Sequence, residues 1–259
     1  MADCTDWAGS VAGRIDPTSC LGIKLVFPDI GPGGSNAVPV RATDDQRWWL
    51  KPTNNPQGPR VTINEYVVGQ IGELIGAPTC KVAIVEIDSL NAGPRQAPAP
   101  PLEVGFACGS FEVPGSRERR TNLEFRSRDD NSSRHVGIIA LWDLCFGADP
   151  QWLYQSTDDE RTWSHDHGLF FPQGPNWTEQ SLVDHLVEVH QLAVDTTDLD
   201  KPTIERVATK IDELQRNMIE TILSSVPASW PVTDSELECL GWFIHERTGP
   251  VAERLRSLV

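Results

Sequence analysis

The sequence predicts an α+β fold in two lobes, a strand-rich first third carrying one helix and then a mostly helical remainder. Three observations carry this. Short strand-like runs separated by glycine, proline and polar turns occupy residues 21–87 around a single helical pattern at 62–75. A stretch dense in proline and alanine, 90–101, follows the strongest of those runs and is a natural crossing between lobes. Beyond it, apolar residues recur mainly at helical spacing. The expected division is a first lobe over 1–88 and a second over 89–259.

Residues 1–20 show no period and are expected to pack as a leader on the first lobe. The run GIKLVF at 22–27 reads as a strand, and the glycine-rich turn GPGGSN at 31–36 leads into another at 38–41. The turn TDDQ then leads to WWLK at 48–51, which makes a hairpin beside the glycines. Glycine turns expose N–H groups that can cradle phosphate, but GPGGSN fits neither a Walker nor a GxGxxG spacing and on its own reads as a plain β-turn. Lys51 ends an apolar strand, so its amine is projected from a sheet. The helix that follows opens with Thr62-Ile63-Asn64-Glu65, the spacing of a capping box. Its stripe is Ile63, Val67, Ile71, Leu74 and Ile75, and Gly76 with Pro78 ends it. Glu65 therefore has two readings: it caps its own helix, or it pairs with Lys51 and holds that amine toward phosphate.

The run KVAIVEI at 81–87 is the strongest strand, and EVGFACGSFEV at 103–113 is strand-like. Five arginines at 117, 119, 120, 126 and 128 read either as a solvated run with acidic neighbours or as a substrate patch. Helical patterns follow at 135–146, 181–194, 203–226 and 233–247, the last opening with the capping box Thr233-Asp234-Ser235-Glu236, and a short helix is expected at 251–258.

The densest chemistry lies in GADPQWLYQSTDDERTWSHDHGLFFP, residues 147–172. Two short strands around Trp152–Tyr154 and Arg161–Ser164, joined by an acidic turn, form a hairpin that brings Asp149 and Asp166 to one end. Two carboxylates at one cleft suit phosphoryl transfer, one taking a proton from the attacking hydroxyl and the other holding Mg²⁺. Asp-X-Gly is also a common turn, so a solvated hairpin is the alternative. His165 and His167 alternate, and His185 and His190 are five apart, neither at the spacing of a helical zinc pair. Trp152, Trp163 and Trp177 read as packing.

Composition bounds the partners. With 22 Lys and Arg against 37 Asp and Glu, the formal charge is −15, which repels nucleic-acid backbones and anionic membranes. No apolar run is long enough to span a bilayer, and the N-terminus lacks the parts of a signal peptide, so a cytoplasmic protein is expected. The six cysteines, at 4, 20, 80, 108, 145 and 239, form no CxxC pair, so free thiols are expected.

With Lys51, Glu65, the strand at 82–87 and Asp166-His167-Gly168 in view, residues 33–172 resemble the HipA-like kinase family, relatives of protein and phosphatidylinositol kinases. The most specific piece is WWLKPTNNPQGPRVTINEYVVGQIGELIGAPTCKVAIVEI, which looks like that family's lysine strand, glutamate helix and hinge strand. The resemblance implies a two-lobed kinase fold with ATP between the lobes, near Gly33, Gly34 and Ser35 of the glycine turn and Glu86 and Ile87 of the hinge strand. It places Lys51 on the phosphates, Glu65 against Lys51, and Asp166 on Mg²⁺, and it suggests Ser35 as a position autophosphorylated in some relatives. The family usually carries an Asn five residues after its catalytic Asp. Here position 154 is Tyr and no Asn lies between Asp149 and Asp166, so Asp149 keeps the base role with Gln151 as the second metal ligand. A protein substrate and an antitoxin-like or regulatory partner are the partners implied. A nucleotide-binding module without turnover and a metal-dependent hydrolase using Asp149, Asp166 and His167 are the rival readings.

Overall fold

The computed structural model describes residues 4–28, 34, 36–95, 101–120 and 122–258. Strands β1 (Leu21–Val26), β2 (Val38–Ala42), β3 (Arg47–Lys51), β4 (Val82–Ile87) and β5 (Gly105–Phe111) close into a barrel in the order β1-β2-β3-β5-β4. The β1–β4 pair is parallel and the others are antiparallel, with Val40 opposite Trp48 in the first hairpin and Lys51 opposite Cys108. Alternation sets the interior: Val38, Val40 and Ala42 of β2 meet Trp48, Leu50, Val85, Ile87 and Ala107 in one buried cluster.

Helix α1 (Val61–Ile75) lies between the barrel and the helical remainder and is buried along most of its length. Its N-terminus does not form the expected capping box. The Thr62 hydroxyl donates instead to the carbonyls of Lys51 and Pro52, at 3.1 and 3.0 Å, which ties the helix to the end of β3 and leaves Glu65 free for another partner. The C-terminus ends as expected, at Gly76 with φ 77°, where the Ala77 N–H donates to Gly72 O at 2.8 Å.

The second unit begins with a three-stranded sheet, β6 (Ser116–Arg119), β7 (Trp152–Gln155) and β8 (Arg161–Ser164), in that order. It continues in helices α2 (Asn131–Leu144), α3 (Glu179–Asp184), α4 (Lys201–Asp212), α5 (Arg216–Ser224) and α6 (Asp234–Arg256). The capping box at Thr233 and Glu236 forms as expected. Among the described residues no helix is long and apolar enough to cross a membrane, and all six cysteines are free.

The structure corrects several expectations. Strand β5, which lies beyond the proline-rich stretch, pairs with β3 and β4, so the barrel strands run to Phe111. The N-terminal segment packs on the helical unit: Arg14 pairs with Asp234 at 2.7 Å, and the Val11 N–H donates to Glu238. The helix expected at 181–194 stops at Asp184, after which the chain turns so that His190 Nε2 meets Gly147 O at 2.6 Å. The 203–226 pattern divides where buried Leu214 enters the core between α4 and α5. The last helix is α6 itself, continuing through Pro250 because the apolar face resumes at Val251, Ala252 and Leu255. The five arginines fill the solvated role: Arg117 meets Glu160, Arg119 Glu124, Arg120 Glu118 and Arg128 Asp159, while Arg126 holds the carbonyls of Asp195 and Thr197.

Candidate functional site

Lys51 leaves the end of β3 only 3 % exposed, and its ammonium donates to Glu65 Oε2 at 2.5 Å and to Asp166 Oδ1. Three elements make this meeting. The strand projects the amine, Thr62 docks α1 onto the strand end, and Asp166 sits just past β8 in a left-handed conformation, φ 56° and ψ 55°, that turns its carboxylate back toward the barrel. Asn64 locks the arrangement. Its amide nitrogen donates to Gly168 O and Phe170 O at 3.0 and 2.9 Å, and its oxygen accepts from Trp177 Nε1 at 2.8 Å. The residue beside Glu65 thus fastens the loop beside Asp166.

Burial alone would pull the Lys51 pKa down, but the carboxylates of Asp166 and Glu65 outweigh it and hold the amine charged above its usual range. Burial would likewise raise Asp166, yet the Lys51 ammonium leads the charges that bring it down to about 2. Burial, with Lys51 nearby, lowers His167 to about 3, and burial also lowers His165, so both imidazoles are neutral near pH 7. His167 Nε2 meets the Ser164 hydroxyl at 2.8 Å, a link that shapes the turn.

Asp149 and Gln151 precede β7 and Asp166 follows β8, so the hairpin brings them together as its pattern predicts. The Gln151 side chain is buried, and its amide nitrogen donates to Asp166 Oδ2 at 2.9 Å and to Asp149 Oδ2 at 3.3 Å. Gln151 Oε1 and Glu65 Oε1 are buried acceptors without a hydrogen-bond partner. A cavity of about 350 Å³ opens in front of this group, with Lys51, Glu65 and Asp166 on one side and Trp49, Phe111 and Val113 among its other walls.

The arrangement can therefore be compared as a whole. The structure of the Helicobacter pylori proinflammatory kinase CtkA matches with a TM-score of 0.62 at 13 % identity, over 94 % of this chain and 97 % of that one. The structure of a Golgi casein kinase matches with a TM-score of 0.53 at 9 % identity, over 100 % of this chain and 76 % of that one.

The fold is kinase-like.

No family model matches the sequence, and no curated protein matches it either. The likeness reaches the fold and does not carry the finer resemblance to HipA-like kinases.

In this kinase-like frame three expected positions fall elsewhere. Glu86 is exposed and pairs with Phe106 and Gly22 in the barrel, and Ile87 is buried inside it opposite Gly105; neither lines the cavity. The physical reason is β5, which lies between β4 and β3 and brings Ser110 and Phe111, with Glu112 and Val113 just after it, to the cavity instead. The run 103–113, followed at once by Pro114 and Gly115, was the signal for a last barrel strand and a crossing. Gly34 packs toward the loop after β3, where an added Cβ would lie 2.9 Å from Gln57 Nε2, and it does not line the cavity. Gly33 and Ser35 lie outside the described residues. Asn64 was missed because an Asn in the first turn of a helix reads as local capping, whereas its partners here are more than 100 residues away.

Proposed function

We propose that the chain is an ATP-dependent, Mg²⁺-requiring kinase that transfers the γ-phosphoryl group to a hydroxyl, that of Ser or Thr on a protein substrate. The observation that carries this reading is Lys51, buried between Glu65 and Asp166 at one wall of a cavity, with Gln151 joining Asp166 to Asp149. A fixed cation beside carboxylates is what phosphoryl transfer asks of a protein, since catalysis there is mostly positioning and charge stabilisation. Oxygen donors suit Mg²⁺, which takes one or two carboxylates together with phosphate oxygens. Asp166 supplies one, and the unpartnered Gln151 Oε1 becomes a second after a half-turn of its amide. When bound, the ion neutralises charge on the β- and γ-phosphates.

The chain's own residues do the rest. Glu65 keeps Lys51 aimed, and the ammonium moves from Asp166 to phosphate oxygens when nucleotide enters. Asp149 accepts the acceptor hydroxyl's proton as its oxygen bonds to the γ-phosphorus, while the bond from that phosphorus to the bridging oxygen breaks and ADP leaves. Asn64 holds the loop that carries Asp166 at a fixed distance from α1.

A second reading, a nucleotide-binding module without transfer, is favoured by the amide nitrogen that Gln151 turns toward both carboxylates. Transfer of label from γ-labelled ATP to the protein itself or to a cell extract separates the two. Labelling by wild type that Asp149→Asn abolishes, with nucleotide still bound, supports the kinase. Equal labelling by both removes Asp149 from the base role, and nucleotide binding without labelling by either supports the binding module.

A further inference from the structure

A second cavity, of about 470 Å³, lies at the C-terminal end of α1 and is larger than the one in front of Lys51. Its walls come from α1, the link between α1 and β4, the N-terminal end of α2, β8 and α4. Four cations line it, Lys81, Arg134, Arg206 and Lys210, against two carboxylates, Glu73 and Asp130. In a chain whose acids outnumber its bases by 37 to 22, a concavity with the opposite balance is unusual.

How these cations are held matters more than their number. The surface arginines of 116–128 are matched by carboxylates or carbonyls, whereas Lys81 and Lys210 form no ion pair or side-chain hydrogen bond among the described residues. Lys210 Nζ lies beside the end of α1, since a Cβ added to Gly76 would be 2.7 Å from it, which places the ammonium near the negative end of the helix. Arg206 donates to the Thr203 hydroxyl at 2.7 Å. Arg134 spends its Nε on Thr162 O at 2.8 Å and stacks over the Trp163 ring at 4.5 Å, but its Nη2 is buried without a hydrogen-bond partner. Buried donors of a guanidinium are costly to leave unmade. Here three elements bring one unmet guanidinium nitrogen and two unpaired ammonium groups to one opening, where the hydroxyls of Ser133 and Thr203 are already engaged by Asp200.

We infer that this cavity is a binding site for a phosphomonoester dianion, separate from the nucleotide cavity. A phosphoryl group offers several acceptor oxygens and a charge near −2, which matches a guanidinium fork flanked by ammonium groups better than a carboxylate does. The source is a small phosphorylated metabolite or a phosphorylated side chain, two forms of one chemistry. The place also has a consequence. Thr79 and Lys81 line this cavity while Cys80 between them lines the other, and Cys80 N donates to Ser164 O at 3.0 Å, two residues before Asp166. One thin wall is thus common to both sites.

The test uses inorganic phosphate as the first probe, followed by thermal unfolding at ionic strength matched with sodium chloride, because a ligand of the native state raises apparent stability with its concentration. Wild type is expected to gain stability from phosphate and none from chloride. In Arg206→Gln/Lys210→Gln the half-saturating phosphate concentration should rise about tenfold, the loss of charged hydrogen bonds expected to do this. Lys81→Gln, on a different element, should weaken binding in the same direction. All three side chains are exposed, so the variants should unfold like wild type without phosphate. Glycerol phosphate and an N-acetyl phosphoserine amide then distinguish the sources by which binds more tightly. Stabilisation that persists unchanged in both variants places the anion elsewhere, and no phosphate-specific stabilisation of wild type denies the site; either overturns the inference. Neither result depends on Mg-ATP binding, so failure here and failure of the kinase reading are told apart.

Discussion

The Gln151 amide nitrogen lies 2.9 Å from Asp166 Oδ2 and 3.3 Å from Asp149 Oδ2, so a single neutral side chain ties together two carboxylates that would otherwise repel. Its position decides two things at once, the separation of the carboxylates and what faces a metal ion. If its oxygen serves the metal, Gln151→Ala should raise the Mg²⁺ concentration needed for half-maximal phosphoryl transfer by about tenfold or more, with a smaller change at saturating Mg²⁺. Titration of transfer against Mg²⁺ reads this directly. An unchanged midpoint removes Gln151 from the metal's surroundings.

Lys51→Met should abolish stabilisation by Mg-ATP and also weaken the fold. Removing the ammonium leaves Glu65 and Asp166 buried without their cation, a loss of about 3–5 kcal/mol when one partner of a buried pair goes. The uncompensated carboxylates should then bind protons more tightly than in the unfolded chain. Stability lost at pH 7 should therefore partly return toward pH 5, where wild type shows no such gain. Asp166→Asn leaves Glu65 on Lys51 and should lose the Mg-ATP response with a smaller loss of stability. Denaturant unfolding of each variant at the two pH values, with and without Mg-ATP, checks both. Retention of the Mg-ATP response by both variants defeats the kinase reading.

How much of this was legible beforehand depended on distance along the chain. Lys51 and Glu65 were found because a strand and the next helix carry them, and Asp149 and Asp166 because one hairpin does. The two capping boxes show where local pattern stops. Thr233-Asp234-Ser235-Glu236 forms its box, whereas Thr62-Ile63-Asn64-Glu65, of equal quality as a pattern, does not, because the carbonyls of Lys51 and Pro52 take the Thr62 hydroxyl. Glu86 and Ile87 were placed at the nucleotide because the resemblance makes the strong strand at 82–87 the hinge, and nothing local says that the run at 103–113 inserts between β4 and β3. The packing of Arg14 on Asp234 joins residues 220 apart, and neither sequence neighbourhood contains a sign of it.

Asp143 and Arg247 give a stability prediction away from the site. Arg247 is 2 % exposed, and its fork holds Asp143 Oδ1 at 3.1 Å together with the carbonyls of Asp143, Leu144, Leu186 and Glu188. Arg254 donates to the same carboxylate at 2.7 and 2.9 Å. Asp143→Ala strands two cations and should destabilise by about 3–5 kcal/mol, a fall in Tm on the order of 10 °C for a chain of this length. Arg247→Met fills similar space and leaves Asp143 with Arg254, so it should destabilise less, although it leaves several carbonyls unmet. Equal losses in the two variants would show that the carbonyl contacts, and not the charge pair, dominate.

Part of the pH dependence of stability comes from His135, which is buried outside the candidate site; buried His167, lowered likewise to about 3, adds a loss of the same sign. Arg126 Nε–H donates to its Nδ1 at 3.1 Å, so Nδ1 is the acceptor, and Nε2 carries the proton toward the Thr162 hydroxyl at 3.2 Å. A second proton would have to sit on Nδ1, facing a donor. Burial is the largest cause that lowers this imidazole, followed by the charges of Arg126 and Arg134, and together they bring its pKa to about 3 from an ordinary 6.5. The unfolded chain therefore binds a proton that the folded one refuses between those values. Stability from His135 is complete above pH 6.5 and is lost as pH falls through 6 toward 3, at about 1.4 kcal/mol per pH unit where the difference is complete. Denaturant unfolding at pH 7.5 and 5 should show the fall, and the His135 ring signals in NMR should stay those of the neutral, Nε2-protonated tautomer down to pH 4. A His135 titration near 6.5 in the folded protein would contradict both the tautomer and the predicted loss.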